Sequence, residues 1–202
     1  MINIALSAYD FNNSYCYPML KNILMPGMRV CIVPYSHTDN VYTDINEFNY
    51  IYDYNDLCSD YSAIDWYYRD YGIEDIRIIF PNDSELIIQD KILKSDILFF
   101  TGGNPVAMMK RLKPIKHIID KFDGIVMGAS AGAMVQVKEF VIDGEGYPYS
   151  YHEGLGMIQL NVDLLVHFKP NKELLDIFKR SVEERPNVLL LPIRDGECLI
   201  FQ

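Results

Sequence analysis

Gly124-Ile125-Val126-Met127-Gly128-Ala129-Ser130-Ala131-Gly132-Ala133-Met134-Val135 is the stretch that decides the reading of this chain. An apolar run with strand character leads into Gly128-x-Ser130-x-Gly132, and a segment with helix character follows. A nucleophile elbow needs this order, a sharp strand-to-helix turn that holds a serine above the sheet edge. Glycine two residues either side of the serine avoids side-chain clashes where backbone segments crowd together. The start of the next helix offers backbone N–H groups to developing negative charge. A tightly packed structural turn is the other use of the same residues. The strand before the motif and the small residues around it favour the catalytic one.

Outward from this turn, short apolar runs alternate with longer amphipathic ones. Strands are expected at 2–6, 29–34, 75–80, 96–101 and 125–127, and after the elbow at 159–168, 188–191 and 198–201. Helices are expected at 14–24, 62–71 and 171–184, the last with Leu174, Leu175, Phe178 and Val182 on one side. Continuous rather than alternating apolar residues mark strands covered on both faces. The expected fold is therefore α/β, three-layered, with a mainly parallel sheet and helices on both faces. Residues 140–156, rich in Gly, Tyr and acidic side chains, read as a loop.

At 202 residues and 50% hydrophobic composition, the chain reads as one domain spanning 1–202. A net charge of −10 without any basic run argues against nucleic acid as a partner. Cys16, Cys31, Cys58 and Cys198 are scattered, as in a reduced intracellular protein. No basic leader precedes the short apolar start, and no run is long enough to span a membrane, so a cytoplasmic protein is expected. Tyrosines 42, 50, 52, 54, 61, 67, 68 and 71 and Trp66 crowd an acidic stretch. Core and rim packing is their simpler use, and a partner surface or homodimer contact is the other.

A serine hydroxyl becomes nucleophilic when a base takes its proton and a carboxylate orients that base. His167 ends an apolar run after the elbow, where it can project over Ser130. His37 follows a strand end, His117 falls within a helical segment, and His152 lies in the expected loop, where it is a candidate substrate contact. Asp195, in a turn after Pro192, is the candidate acid, with Glu197 and Asp143 as rivals. Oxyanion donors are expected at the N–H of Ala131 and in the Gly102-Gly103-Asn104 turn. Asn104 followed by Pro105 equally describes a helix entry. No G-x-G-x-x-G follows the first strand and no metal-ligand spacing is present, so no cofactor is expected.

Thr101-Gly102-Gly103-Asn104, then Met127-Gly128-Ala129-Ser130-Ala131-Gly132-Ala133, His167-Phe168 and Asp195-Gly196 together resemble the dipeptidase E and cyanophycinase family of serine peptidases. The resemblance covers nearly the whole chain in element order. It implies a flavodoxin-like sheet similar to that of class I glutamine amidotransferases, with serine in place of their cysteine. It maps Ser130 to the nucleophile, His167 to the base, Asp195 to the acid, and Gly103 and Ala131 to the oxyanion donors. Asp143 matches a second aspartate of the dipeptidases, displaced by about two residues. Dipeptides with an N-terminal aspartate are the implied substrates, although no basic pocket for that side chain is apparent in the sequence. The leading expectation is a serine hydrolase, a peptidase or dipeptidase, acting on a small peptide or related amide. The alternatives are a non-peptidase amide hydrolase on the same scaffold and an inactive binding or regulatory homologue.

Overall fold

A computed structural model describes residues 1–36, 60–80, 82–144 and 147–202. His37, Cys58 and the tyrosines at 42, 50, 52 and 54 lie outside the described residues. Strands β1 (Ile2–Leu6), β2 (Arg29–Val33), β3 (Asp75–Ile78), β4 (Ile97–Phe100) and β5 (Ile125–Ala129) run parallel, and β10 (Cys198–Phe201) joins them antiparallel. They form one six-stranded sheet in the order β10-β1-β5-β4-β2-β3.

Alternate residues of the central strands feed two separate cores, as the two-residue period of a strand requires. Ile4, Leu6, Ile97, Phe99 and Met127 face one layer, with Leu20 of α1 (Cys16–Leu20) and Tyr68 of α2 (Asp60–Arg69). Ala5, Leu98, Phe100 and Val126 face the other. There they meet α3 (Glu85–Leu93), α4 (Pro105–Leu112) and α5 (Lys116–Ile119) through Ile92, Met108 and Ile118. The three-layer α/β architecture read from the apolar runs is the one observed.

Three elements depart from the sequence expectation. The helix expected over 14–24 contracts to Cys16–Leu20. Asn13 Oδ1 accepts the Tyr15 and Cys16 N–H groups at its start, and tighter turns follow Leu20. The segment read as a loop contains an antiparallel hairpin, β6 (Glu139–Gly144) with β7 (Tyr147–Glu153). Its Phe-Val-Ile and alternating Tyr residues pair and pack well on a pleated surface, which outweighs the Gly content. On α7 (Lys172–Glu184) the inward residues are Leu174, Ile177 and Phe178, whereas Leu175 and Val182 are exposed.

A second parallel pair, β8 (Val162–Leu165) with β9 (Leu189–Pro192), stands apart from the large sheet. Below it Arg185, with a side chain only 11% exposed, pairs with the fully buried Asp163 and with Glu139 at 3.1 Å. The same guanidinium reaches Ser181 Oγ at 2.8 Å and lies 4.1 Å from the Tyr151 ring centre. It thereby ties α7, β8 and the hairpin together.

Burial pushes the Asp163 carboxyl above its ordinary value, and Arg185 only partly opposes that. Arg185→Met would strand the carboxyl and cost about 3 kcal/mol, or about 6–12 °C in Tm. In that variant the buried carboxyl holds its proton in the fold and releases it on unfolding. The deficit should therefore grow as pH rises above about 4, and denaturant titrations at acid and neutral pH would measure it.

Candidate active site

The carboxyl ends of the parallel strands meet at one edge. β5 ends at Ala129, Ser130 makes the turn, and α6 (Ala131–Met134) begins at once. Ser130 has φ 52° and ψ −113°, a conformation that non-glycine residues seldom hold unless their surroundings impose it. Its N–H is fixed by the Leu6 carbonyl of β1 at 2.9 Å. The two motif glycines make this possible by close approach. A Cβ on Gly128 would lie 2.1 Å from the Gly132 carbonyl oxygen, and one on Gly132 would lie 2.1 Å from that of Phe100.

His167 and Asp195 come from the small parallel pair. His167 follows β8 and Asp195 follows β9, and the two turns are laced together. The Ile193 N–H donates to the Leu165 carbonyl at 2.9 Å, and the Phe168 N–H to that of Ile193 at 3.0 Å. His167 also has a positive φ, 54°. Its Nδ1 lies 2.6 Å from Asp195 Oδ1, and its Nε2 lies 2.8 Å from Ser130 Oγ. Burial alone would raise the Asp195 pKa. The hydrogen bonds from His167 and Ser7, with the charges of His167 and Lys169, outweigh it and hold the carboxyl below its ordinary value. An ionised Asp195 can only accept, so Nδ1 carries the imidazole proton and Nε2 is left to accept from Ser130. Both side chains of this pair are about half exposed, at 49% and 46%, so the site is open to solvent.

Ser7, fully buried at the end of β1, was not singled out by the sequence. Its Oγ donates to Asp195 Oδ1 at 3.0 Å and accepts the His167 N–H at 2.7 Å. One hydroxyl therefore holds the Asp195 carboxylate and the strained backbone of His167. A small polar residue directly after the first apolar strand was the available signal.

Opposite, the Thr101–Asn104 turn closes over the serine. A Cβ on Gly102 would lie 3.4 Å from Ser130 Cβ. The Gly102 N–H donates to the Tyr9 hydroxyl at 2.6 Å and the Asn104 N–H to the Ser36 carbonyl at 2.9 Å. Among the described residues, the Gly103 and Ala131 N–H groups have no acceptor. Gly103, at φ 137°, could not be another residue, because its Cβ would meet Ser36 Oγ at 2.8 Å.

The remaining candidates fall on several elements. Asn104 Oδ1 caps α4 through the Ala107 N–H. Asp143 is on β6, beside the Val141 and Ile142 that line the cleft at Ser130. His152, expected in a loop, is on β7, stacked on Phe140 in a different cleft from the one at Ser130. Strand pairing fixes it there, rather than in the loop expected. Glu197 accepts the Arg194 N–H, and His117 pairs with Glu85. Among the described residues no group of His, Cys, Asp and Glu could hold a metal ion, and no helix is long and apolar enough to cross a membrane.

The sequence model for peptidase family S51 matches residues 61–202, a span that includes the Gly102-Gly103 turn, Ser130, His167 and Asp195. The chain belongs to peptidase family S51. Membership makes it a serine-type peptidase. Ser7 and Tyr9 lie ahead of the matched S51 span. Among solved structures the chain is similar to a provisionally named peptidase E protein from Listeria monocytogenes EGD-e. The two share 17% identity at a TM-score of 0.64, over 99% of this chain and 93% of that one, a likeness of fold. No curated protein sequence matches significantly.

Ser7→Ala removes both hydrogen bonds of the buried hydroxyl for the loss of one oxygen. The rate of Ser130 modification by a fluorophosphonate should fall about tenfold, the worth of a hydrogen bond of about 1.4 kcal/mol, with the fold retained by circular dichroism. A purely structural Ser7 would lower Tm and leave that rate unchanged.

Proposed function

We propose that this S51 peptidase hydrolyses short peptides through Ser130, His167 and Asp195, with Ser130 on a nucleophile elbow. The observation that carries the reading is the unbroken hydrogen-bond chain Asp195–His167–Ser130, with the serine strained at the strand-to-helix turn. Ser130 Oγ attacks the scissile carbonyl carbon as its proton passes to His167 Nε2. The N–H groups of Gly103 and Ala131, which have no other acceptor among the described residues, receive the negative charge that develops on the carbonyl oxygen. The C–N bond then breaks, and the imidazolium returns its proton to the departing amine. Water, deprotonated by the same imidazole, attacks the acyl-enzyme, frees the acid and restores Ser130.

Tyr9 supports the same reading. By taking the Gly102 N–H it turns that peptide away from the role and leaves Gly103 to supply the donor. The resemblance to dipeptidase E makes N-terminal aspartyl dipeptides the first substrates to assay. The same cytoplasmic setting expected from the sequence would suit an enzyme of peptide turnover.

Ser130→Ala should abolish both hydrolysis and fluorophosphonate labelling in a folded protein, read by intact mass. His167→Ala should be comparably damaging, because triad members act as a unit. Activity should fall on acidification, since only neutral imidazole accepts the proton. Asp195, held below the ordinary carboxylate value, stays ionised through that fall and is not its cause. Full turnover by folded Ser130→Ala would refute the mechanism.

A further inference from the structure

A cleft of about 240 Å³ opens against Ser130 and His167 themselves. Among the described residues, every other residue of its wall is Pro, Met, Val, Ile or Leu. Pro105 and Met134 contribute from the helices that follow the two turns, Ile142 from the hairpin, Leu164 from β8, and Leu174 and Ile177 from α7. An apolar cavity of about 150 Å³ already holds a benzene ring, so this one has room for a large aliphatic or aromatic side chain.

A substrate carboxylate would find no partner there. No Lys or Arg among the described residues lines the cleft. Residues 37–59, 81 and 145–146 contain neither, so all 18 Lys and Arg of the chain are among the described residues. Arg185, at the far end of α7, is committed to Asp163 and Glu139. Lys169, two residues beyond His167, is exposed, and its charge acts on Asp195. An unpaired carboxylate against such a wall would be desolvated without compensation, whereas an apolar group would displace water from apolar surface.

We propose that this cleft is the specificity pocket for the residue that acylates Ser130, and that it selects a large apolar side chain over an aspartyl one. The proposal rests on Ser130 being the nucleophile. Because the cleft abuts the serine, the group joined to Oγ has the apolar wall within reach. The chain would then keep the S51 catalytic frame while departing from the aspartyl substrates to which its resemblance points.

Alkylboronic acids test the pocket without any assumed substrate. Ser130 Oγ adds reversibly to trigonal boron with no leaving group, and the alkyl arm takes the place of the acyl residue. Methyl-, 3-methylbutyl-, 2-phenylethyl- and 2-carboxyethylboronic acids would each compete with a small fluorophosphonate, whose phosphorus takes Ser130 Oγ and loses fluoride. Intact mass reads the labelled fraction. The two large apolar arms should protect at least about tenfold better than methyl, within the 10–200-fold that one pocket contact supplies. The carboxyethyl arm should do no better than methyl. Leu174→Arg, at a half-buried position on α7, should weaken the apolar arms and favour the carboxyethyl one. Equal protection by all four, or best protection by the carboxyethyl compound, would overturn the proposal while leaving Ser130 the nucleophile. Absence of labelling would remove the nucleophile and the proposal together.

Discussion

Two sheets of unequal size, one mainly parallel and one a parallel pair, end at the same point in this protein, and the buried hydroxyl of Ser7 joins them. The large sheet carries the serine at the end of β5, beside β1. The small one carries the histidine and the aspartate after β8 and β9. Nothing in either sheet alone fixes the distance between them. Ser7, at the tip of β1, touches the Asp195 carboxylate and the His167 backbone, while the Leu6 carbonyl beside it pins the Ser130 N–H. The geometry from Asp195 to Ser130 thus depends on where β1 ends. Two positive φ values, at Ser130 and His167, are held by hydrogen bonds on adjacent residues of that one strand end.

The site combines an open polar chain with an apolar wall. Solvent reaches the imidazole and carboxylate, and in water their hydrogen bonds compete with hydration. A substrate that fills the adjacent cleft would exclude that water and strengthen each electrostatic contact beneath it. Apolar binding and polar chemistry are therefore coupled through solvent. The Arg185 network belongs to this coupling, because it secures the hairpin and α7, from which Ile142, Leu174 and Ile177 form part of the wall.

The layers were legible because buried parallel strands are nearly continuous apolar runs, and Gly128-x-Ser130-x-Gly132 marks a crossing where side chains cannot fit. Ser130, His167 and Asp195 could be singled out because each follows such a run, and the structure brings them into hydrogen-bond contact. The hairpin at 139–153 was missed because β7 alternates Tyr with Pro, Ser and His and the segment is rich in Gly and acidic residues, a composition that reads as a loop. His152 was misplaced for the same reason. Ser7 and Tyr9 were not singled out, since their importance lies in partners about 90 to 190 residues away, at sequence separations of 93 and 188.

Pairing between β1 and β10 joins Asn3 to Phe201, and Ser7 to Asp195 spans nearly as much chain. Such contacts form after local ones, because the entropy of closing a long loop must be overcome before they reward it. On a ribosome, Ser7 waits in a nascent chain whose Asp195 has yet to be translated. The Ser130 turn can fold with β5 and α6 well before then, but His167 and Asp195 lie farther along. A newly made chain therefore cannot bring Ser130, His167 and Asp195 into contact until residue 195 has been made and β10 has closed on β1, and order of synthesis delays that assembly.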